Sequence, residues 1–202
     1  MALVSETIVR EYFEQHGFFV RQQRKYIATN RREDDQADFL VLNPHAVSVP
    51  NPPFTLASID LRGIARAVVV VKGWHTETFS PAVLANAPEI FRSFQPSAFQ
   101  QAARAFGTTE PLTNILVVPA LPQAGDALLG SIELLRAKGI DAVIPFRTML
   151  GDLIANIEVN RNYQKSDLLQ VLRILEKYDF FREPQLDFFR TKRRPTRKPA
   201  PE

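Results

Sequence analysis

The chain contains no cysteine among its 202 residues. Disulfide bonds, a thiolate nucleophile and cysteine-ligated zinc are therefore excluded. It also has no apolar run near the roughly 20 residues that a membrane-spanning helix needs. Its start, MALVSETIVREYFEQ, lacks the basic lead and the continuous apolar stretch of a signal peptide. We therefore expect a cytoplasmic protein with no membrane segment and no redox chemistry of its own.

The composition is that of a folded domain. Hydrophobic residues make up 45% of the chain and charged residues 23%, which are values of ordinary globular proteins. The length suits one domain with a tail or a small appendage, and no internal repeat is visible. We predict one domain over residues 1–180, with its core in 5–158 and C-terminal helices to about residue 180. An extended basic tail follows over residues 181–202.

The formal net charge of +3 comes from that tail. Residues 190–202 hold six of the 25 basic residues and one of the 22 acidic residues, so residues 1–189 keep 19 bases and 21 acids. Blocks of like charge at a terminus are typically solvated arms. Two interpretations stay open: a tail that aids solubility, or one that is attracted to nucleic-acid phosphates in a salt-sensitive way.

The hydrophobic pattern predicts an alternation of helices and strands. Ser5 is a candidate N-cap of the first helix, Glu6 suits the positive end of that helix, and Gly17 lies where the helix should end. Strands are predicted in FFVRQQRKYIA, ADFLVLNP, ARAVVVV, TNILVVPA and IDAVIPF, with a further strand near 54–61 in a proline-rich stretch over 44–64. Helices are predicted near 80–92 and 96–106, and in GDALLGSIELLRAKG, RTMLGDLIANIEV and DLLQVLRILEKY.

The strongest predicted strand is ARAVVVV. Its β-branched residues point to both faces, which indicates a central strand covered from both sides. The element order is one helix, three strands, and then helix, strand, helix, strand and helix. This order predicts a mixed α/β sheet packed between helices rather than a regular doubly wound ladder.

Charged residues border two neighbouring predicted strands. Asp38 opens ADFLVLNP, and Lys72 closes the valine run in VVVVKGW. An acid that begins one strand and a lysine that ends the next resemble the PD-(D/E)xK nuclease superfamily, over roughly residues 5–158. The resemblance implies a restriction-endonuclease-like fold, with a mixed central sheet flanked by helices. In that family the helix before the first strand often supplies another carboxylate, for which Glu6 is the natural candidate.

The resemblance also implies an activity, namely metal-dependent phosphodiester hydrolysis in DNA repair or replication. Mg²⁺, or Mn²⁺, is held by oxygen ligands and helps to generate the nucleophile. The implied metal ligands are the carboxylate of Asp38 and the main-chain carbonyl of Val71. Lys72 would orient the attacking water or stabilise charge on the phosphate, and Glu6 would be a supplementary carboxylate.

The second family motif is acid-any-lysine, and its acid is missing here because Val70 lies two residues before Lys72. Three hypotheses follow. The acid has moved elsewhere in the chain, or the site uses Asp38 and the carbonyl of Val71 alone, or the fold has lost catalysis and kept binding. The candidates for a displaced acid are Glu6, Asp60, Glu77 and Glu89.

Further residues are candidates for nucleic-acid binding. Trp74 could stack on a base and His75 could contact a phosphate; alternatively, Trp74 anchors the turn in the core. The basic segment RQQRKYIATNRR, which includes Arg24 and Lys25, could line one wall of a groove, although solvated surface charge explains it equally well.

The segment QLDFF, before the basic tail, resembles the pentapeptide by which bacterial proteins dock on the replicative sliding clamp. Gln185, Leu186, Asp187 and Phe189 match the family pattern, and only the fourth place differs, where Phe188 replaces a leucine. The aromatic and leucine side chains would fill an apolar pocket of the partner. The alternative is that this segment folds back onto the domain. The expected partners are therefore DNA, a sliding clamp and, since dimers are common in the nuclease superfamily, a second copy of the chain.

Overall fold

A computed structural model describes residues 2–22, 37–94, 96–110 and 112–181 of the chain. The helices in these ranges are α1 Ala2–Gln15, α2 Pro81–Asn86, α3 Pro96–Phe106, α4 Gly125–Ala137, α5 Phe146–Ala155 and α6 Asp167–Lys177. The strands are β1 Phe19–Gln22, β2 Phe39–Leu42, β3 Arg66–Val71, β4 Thr113–Val118 and β5 Ala142–Pro145. Two 3₁₀ helices span Ser58–Gly63 and Pro88–Phe94.

The five strands form one mixed sheet whose spatial order follows the chain, β1-β2-β3-β4-β5. β1 pairs antiparallel with β2, and β2 pairs antiparallel with β3, whereas β3, β4 and β5 run parallel to one another. Parallel neighbours need a crossover connection, which α2 and α3 provide before β4 and α4 provides before β5. The predicted mixed α/β sheet flanked by helices is thus confirmed.

Strand β3 lies at the centre of this sheet and contributes side chains to a hydrophobic cluster on each face. Val69 packs in a core cluster with α1 and α5, through residues such as Val9 and Met149. Val70 packs in a second cluster on the opposite face, with Phe79 and other residues of the α2 to α4 layer. Successive strand residues point to opposite faces, so the valine run is buried on both sides, as its composition predicts.

The start of the first helix differs from the prediction. α1 begins at Ala2, so Ser5 lies inside the helix and not at its N-cap, and its residue surface is 1% exposed. The residues before Ser5 are compatible with a helix, and the serine hydroxyl is used in a tertiary contact. The end of the helix agrees with the prediction: Gly17 has a φ of +79° and Phe18 N–H donates to the carbonyl of Phe13 at 3.1 Å, which is a glycine-terminated helix end.

The extra strand predicted near 54–61 is reduced to a single β-bridge, between Thr55 and Val143. Leu56 N–H donates to Val143, and Val143 N–H donates to Phe54, at 2.9 and 2.8 Å. This segment therefore covers the outer edge of β5, which would otherwise offer unpaired backbone groups. The chain then turns into the first 3₁₀ helix.

The first predicted strand and the predicted tail lie partly or wholly outside the described ranges. β1 covers residues 19–22 of the first predicted strand, whose remainder lies outside the described ranges. The domain is described to residue 181, and the predicted tail beyond it also lies outside. Within the described ranges, no helix combines the length and the apolar character needed to cross a bilayer.

Candidate active site

Asp38 contacts the backbone at the end of the neighbouring strand. Its N–H donates to the carbonyl of Val69 at 3.1 Å, and its Oδ2 accepts from the N–H of Val71 at 2.6 Å. The aspartate therefore bonds β3 on both sides of Val70. Since Lys72 follows Val71 directly, the acid that opens β2 and the lysine that closes β3 are brought to one end of the sheet.

Strand geometry directs the carbonyl of Val71 to the β2 side of the strand end, the side on which Asp38 bonds the Val71 N–H. In a strand, the N–H and C=O of one residue point to the same neighbour, and the N–H of Val71 points to Asp38. The next residue, Lys72, bonds in the other direction, because its N–H donates to Val117 of β4 at 3.1 Å. By this alternation we expect the main-chain oxygen of Val71 on the β2 side of the strand end, the side on which the Asp38 carboxylate bonds the Val71 N–H.

Glu6 lies at this end of the sheet as well. Its Oε2 accepts from Nε2 of Gln22 at 2.7 Å, and Gln22 is the last residue of β1, paired with Phe39. Phe39 follows Asp38 in the chain. Glu6 in α1 is thus linked through Gln22 to the end of the sheet where β2 begins and β3 ends, the end that carries Asp38 and Lys72. Glu6 lies beyond the first turn of α1, so it is not at the positive end of that helix as predicted.

The other candidates for a displaced acid lie in local structures of their own. Asp60 accepts from the N–H of Ala57 at 2.8 Å and so begins the first 3₁₀ helix. Glu77 is exposed in a turn closed by its N–H on the carbonyl of Trp74, and Glu89 belongs to the second 3₁₀ helix. Among the described residues, no group of three or more acidic or histidine side chains lies close enough to hold a metal ion.

Val70 occupies the position where the family motif has its acid. Its residue surface is 0% exposed, and it belongs to the apolar cluster that includes Phe79, Leu84 and Leu116. A carboxylate in this position would be buried among aliphatic and aromatic groups, where the charged form is strongly disfavoured. The valine is thus a core residue of this fold.

The two residues after Gly73 diverge. The Trp74 ring packs edge-on against Phe79, with centroids 5.8 Å apart, and is partly buried against the α2 to α4 layer. His75 lies on the α1 side, where Nε2 is 2.9 Å from Oγ of Ser5 and the ring is edge-on to Phe146 at 4.6 Å. The anchoring alternative for Trp74 therefore has a structural basis, and the contact of His75 with Ser5 was not foreseen.

Gly73 makes this contact feasible. A Cβ atom at residue 73 would lie 2.3 Å from Oγ of Ser5, so one of the two would have to shift, and 3.0 Å from Cβ of Ser5, which is a tight contact. Helix α1 and the end of β3 therefore approach each other as closely as a glycine allows. A glycine directly after Lys72 is the one signal in the sequence that could have suggested such an approach.

A polar contact joins α1 to the first 3₁₀ helix. Tyr12 is fully buried, and its hydroxyl is 3.0 Å from Oγ of Ser58. Burial raises the pKa of Tyr12 to about 12, the bond to Ser58 opposes this, and the charges of Asp152 and Asp60 add to it. Asp152 also pairs with His16, with 2.8 Å between Oδ2 and Nε2.

An open depression of about 520 Å³ lies between α1 and the segment before α6. Arg10, Glu11 and Glu14 line one side and residues 161–166 the other. Burial, and then the charge of Glu11, raises the pKa of Glu14. None of the predicted catalytic residues lines this depression.

The remaining predicted site residues lie outside the described ranges. They are Arg24 and Lys25 in the nucleic-acid prediction, and Gln185, Leu186, Phe188 and Phe189 in the clamp-binding prediction. Comparisons with protein-family models, with curated proteins and with solved structures find no match to this chain.

Proposed function

We propose that this chain is a DNA-associated protein with a restriction-endonuclease-like fold. We propose further that the site around Asp38 and Lys72, at the end of the sheet where β2 begins and β3 ends, hydrolyses phosphodiester bonds with Mg²⁺ or Mn²⁺. The observation that carries the proposal is the 2.6 Å bond from Val71 N–H to the Asp38 carboxylate. It joins the acid of one strand to the residue directly before the lysine of the next. The mixed five-stranded sheet between helices agrees with the fold that the resemblance implies.

The oxygen groups at this edge fit a hard divalent cation. The carboxylate of Asp38 bonds the N–H of Val71, and strand geometry directs the carbonyl of Val71 to the same side. Both oxygen groups are ligand types that Mg²⁺ accepts alongside water. Asp38 and Val71 would therefore hold the ion. When bound, the ion would supply Lewis-acid polarisation of the phosphate and a more acidic water.

The protein's own groups have separate roles in this proposal. The Lys72 ammonium would stabilise the negative charge that develops on the phosphate, or orient the attacking water. Glu6, held by Gln22, would add a second carboxylate at the rim and orient water. Because β3 is buried over most of its length, the backbone that carries Lys72 is rigid, which favours a well-positioned ammonium.

The test is a cleavage assay on single- and double-stranded DNA and RNA, with Mg²⁺, Mn²⁺ or EDTA. We expect metal-dependent cleavage by the wild-type chain and a loss of about 100-fold or more in Lys72→Ala. The matched control is Lys138→Ala. Lys138 lies directly after α4 and is not one of the proposed site residues, so this variant should cleave normally. Cleavage that is equal in wild type and Lys72→Ala would show a contaminant and remove the site assignment.

A second function is a binding or assembly module without catalysis. It is favoured by the complete burial of Val70, which occupies the place of the motif's acid. In this case the chain would bind DNA with an affinity that falls steeply with salt, and no metal would produce cleavage. Binding and cleavage measured on the same preparation decide between the two functions.

We also propose a partner for residues 185–189, namely a bacterial sliding clamp. The support is the match of Gln185, Leu186 and Phe189 to the docking peptide. Deletion of residues 185–202 should abolish binding to the purified clamp and leave the thermal unfolding midpoint nearly unchanged. A large fall in that midpoint would show instead that the segment packs on the domain.

A further inference from the structure

The segment that leaves β3 is held by both layers of the fold. On one side, Trp74 packs against Phe79. On the other side, His75 bonds the hydroxyl of Ser5 at 2.9 Å and packs against Phe146. Lys72 lies two residues before Trp74 and three before His75. Contacts on both faces of the sheet therefore restrain the backbone that follows Lys72.

The contact on the α1 side joins the two backbones that carry the proposed site. Ser5 immediately precedes Glu6 in α1, and His75 lies three residues after Lys72. Ser5 is 1% exposed although it is polar, and a buried hydroxyl is stabilised by a hydrogen-bond partner. Gly73 admits the serine at a distance that a side chain would block. Ser5 therefore forms one close junction with Gly73 and His75, although 70 positions separate Ser5 from His75 in the chain.

We infer that the Ser5–His75 hydrogen bond is a positioning contact, which holds the Lys72 segment against α1 and so fixes Lys72 relative to Glu6. This inference rests on the proposed function for its catalytic consequence. A lysine has a long flexible stem, so its ammonium is placed mainly by the backbone from which the stem starts. A displacement of about 1 Å can lower a catalytic rate about 100-fold. His75 is thus a positioning residue.

The test compares three histidine variants of the full chain. His75→Ala removes the bond, and His75→Gln offers an amide near the position of the ring Nε2. His45→Ala removes an exposed histidine from the loop after β2 and serves as the control. Ser5→Ala removes the bond from the other side and should match His75→Ala.

Two measurements are made on each variant. The first is hydrogen–deuterium exchange of a peptide spanning residues 72–76, with a peptide from α4 as internal reference. We expect exchange about fivefold faster in His75→Ala, in line with the loss of one hydrogen bond, and recovery in His75→Gln. The second is cleavage kinetics, in which kcat should fall at least tenfold in His75→Ala with KM nearly unchanged.

Each outcome decides a different point. Unchanged exchange at residues 72–76 in both His75→Ala and Ser5→Ala overturns the inference. A raised KM with unchanged kcat also overturns it, because His75 would then bind the substrate directly. If the wild-type chain cleaves no substrate, the proposed hydrolysis fails, and the exchange data alone decide whether the contact holds the segment.

Discussion

Asp38 bonds the backbone of β3 on both sides of Val70: its N–H donates to Val69 and its carboxylate accepts from Val71. One aspartate thus closes the end of the β2–β3 pair and stands beside the residue before Lys72. The carboxylate has a structural role in addition to any catalytic one. Experiments on Asp38 must therefore separate stability from activity.

The amide and alanine variants of Asp38 achieve this separation. Asp38→Ala leaves the Val71 N–H without its acceptor and should lower the free energy of unfolding by about 1 kcal/mol or more. Asp38→Asn keeps an oxygen acceptor and should lose less stability. Both variants remove the negative charge, so the proposed function predicts that both lose cleavage. Chemical denaturation and the cleavage assay measure the two effects. An Asn variant that cleaves normally would contradict the metal role.

An acid at position 70, where the PD-(D/E)xK motif would have one, should destabilise the fold. Val70 is fully buried among apolar residues, so Val70→Glu should destabilise the chain by about 3–5 kcal/mol at neutral pH. Burial would raise the pKa of the new carboxyl above that of an unfolded glutamate, about 4.3. The loss of stability relative to wild type should therefore be smallest near pH 4 and grow as pH rises.

The matched control for that experiment is Val70→Gln, which has a similar shape and no charge. Its overpacking should also destabilise the chain, by about 1–3 kcal/mol, but without the pH dependence of the carboxyl. Denaturation midpoints of the Glu and Gln variants, measured at intervals of about one unit from pH 4 to 8, would show whether only the Glu variant depends on pH in this way. Equal stability of Val70→Glu and wild type would show that position 70 is open to solvent, contrary to its burial.

Tyr12 should make the fold sensitive to alkaline pH. Its pKa is raised to about 12 from 10.0 by burial, so the folded chain retains the phenol proton that the unfolded chain releases. The stabilisation is complete below pH 10 and is lost as pH rises from 10 to 12. The loss should total about 3 kcal/mol. Denaturation across this range measures it, and Tyr12→Phe should remove this component and nothing else of the alkaline profile. An unchanged profile in that variant would assign the loss to other groups.

A side chain at position 73 should destabilise the chain while Ser5 is present. The Cβ of Gly73→Ala would lie 2.3 Å from the serine oxygen, so helix α1 or the β3 end must shift, which should destabilise the chain by about 1–3 kcal/mol. Gly151 is the matched control, since it lies in α5 with no atom near its ideal Cβ. Gly151→Ala should be neutral or stabilise by up to about 1 kcal/mol.

A double-mutant cycle tests the origin of the Gly73 effect. Ser5→Ala removes the hydroxyl but keeps the Cβ at 3.0 Å, so the double variant should recover part of the loss caused by Gly73→Ala. Strict additivity of the two single effects would show that residues 5 and 73 do not meet. Thermal or chemical unfolding of the four proteins supplies the cycle.

Local patterns predicted several elements because the signal was contained within each segment. The valines of β3 marked a strand buried on both faces, and Gly17 marked the end of α1. The local pattern gave a wrong N-cap at Ser5. A serine followed by a polar residue gives the same local pattern at the start of a helix as inside one. What decides between them is whether the preceding residues join the helix and whether a distant partner awaits the hydroxyl.

The sequence alone determined the order of helices and strands, the burial of β3 on both faces and the presence of charged groups where β2 begins and β3 ends. These follow from periodicity and composition, which act over a few residues. Only the tertiary structure decided that Asp38 reaches the Val71 amide, that Val70 is sealed in a core, and that Ser5 meets His75 across 70 positions of chain. Such contacts depend on how the layers pack, and packing is set by the whole chain at once.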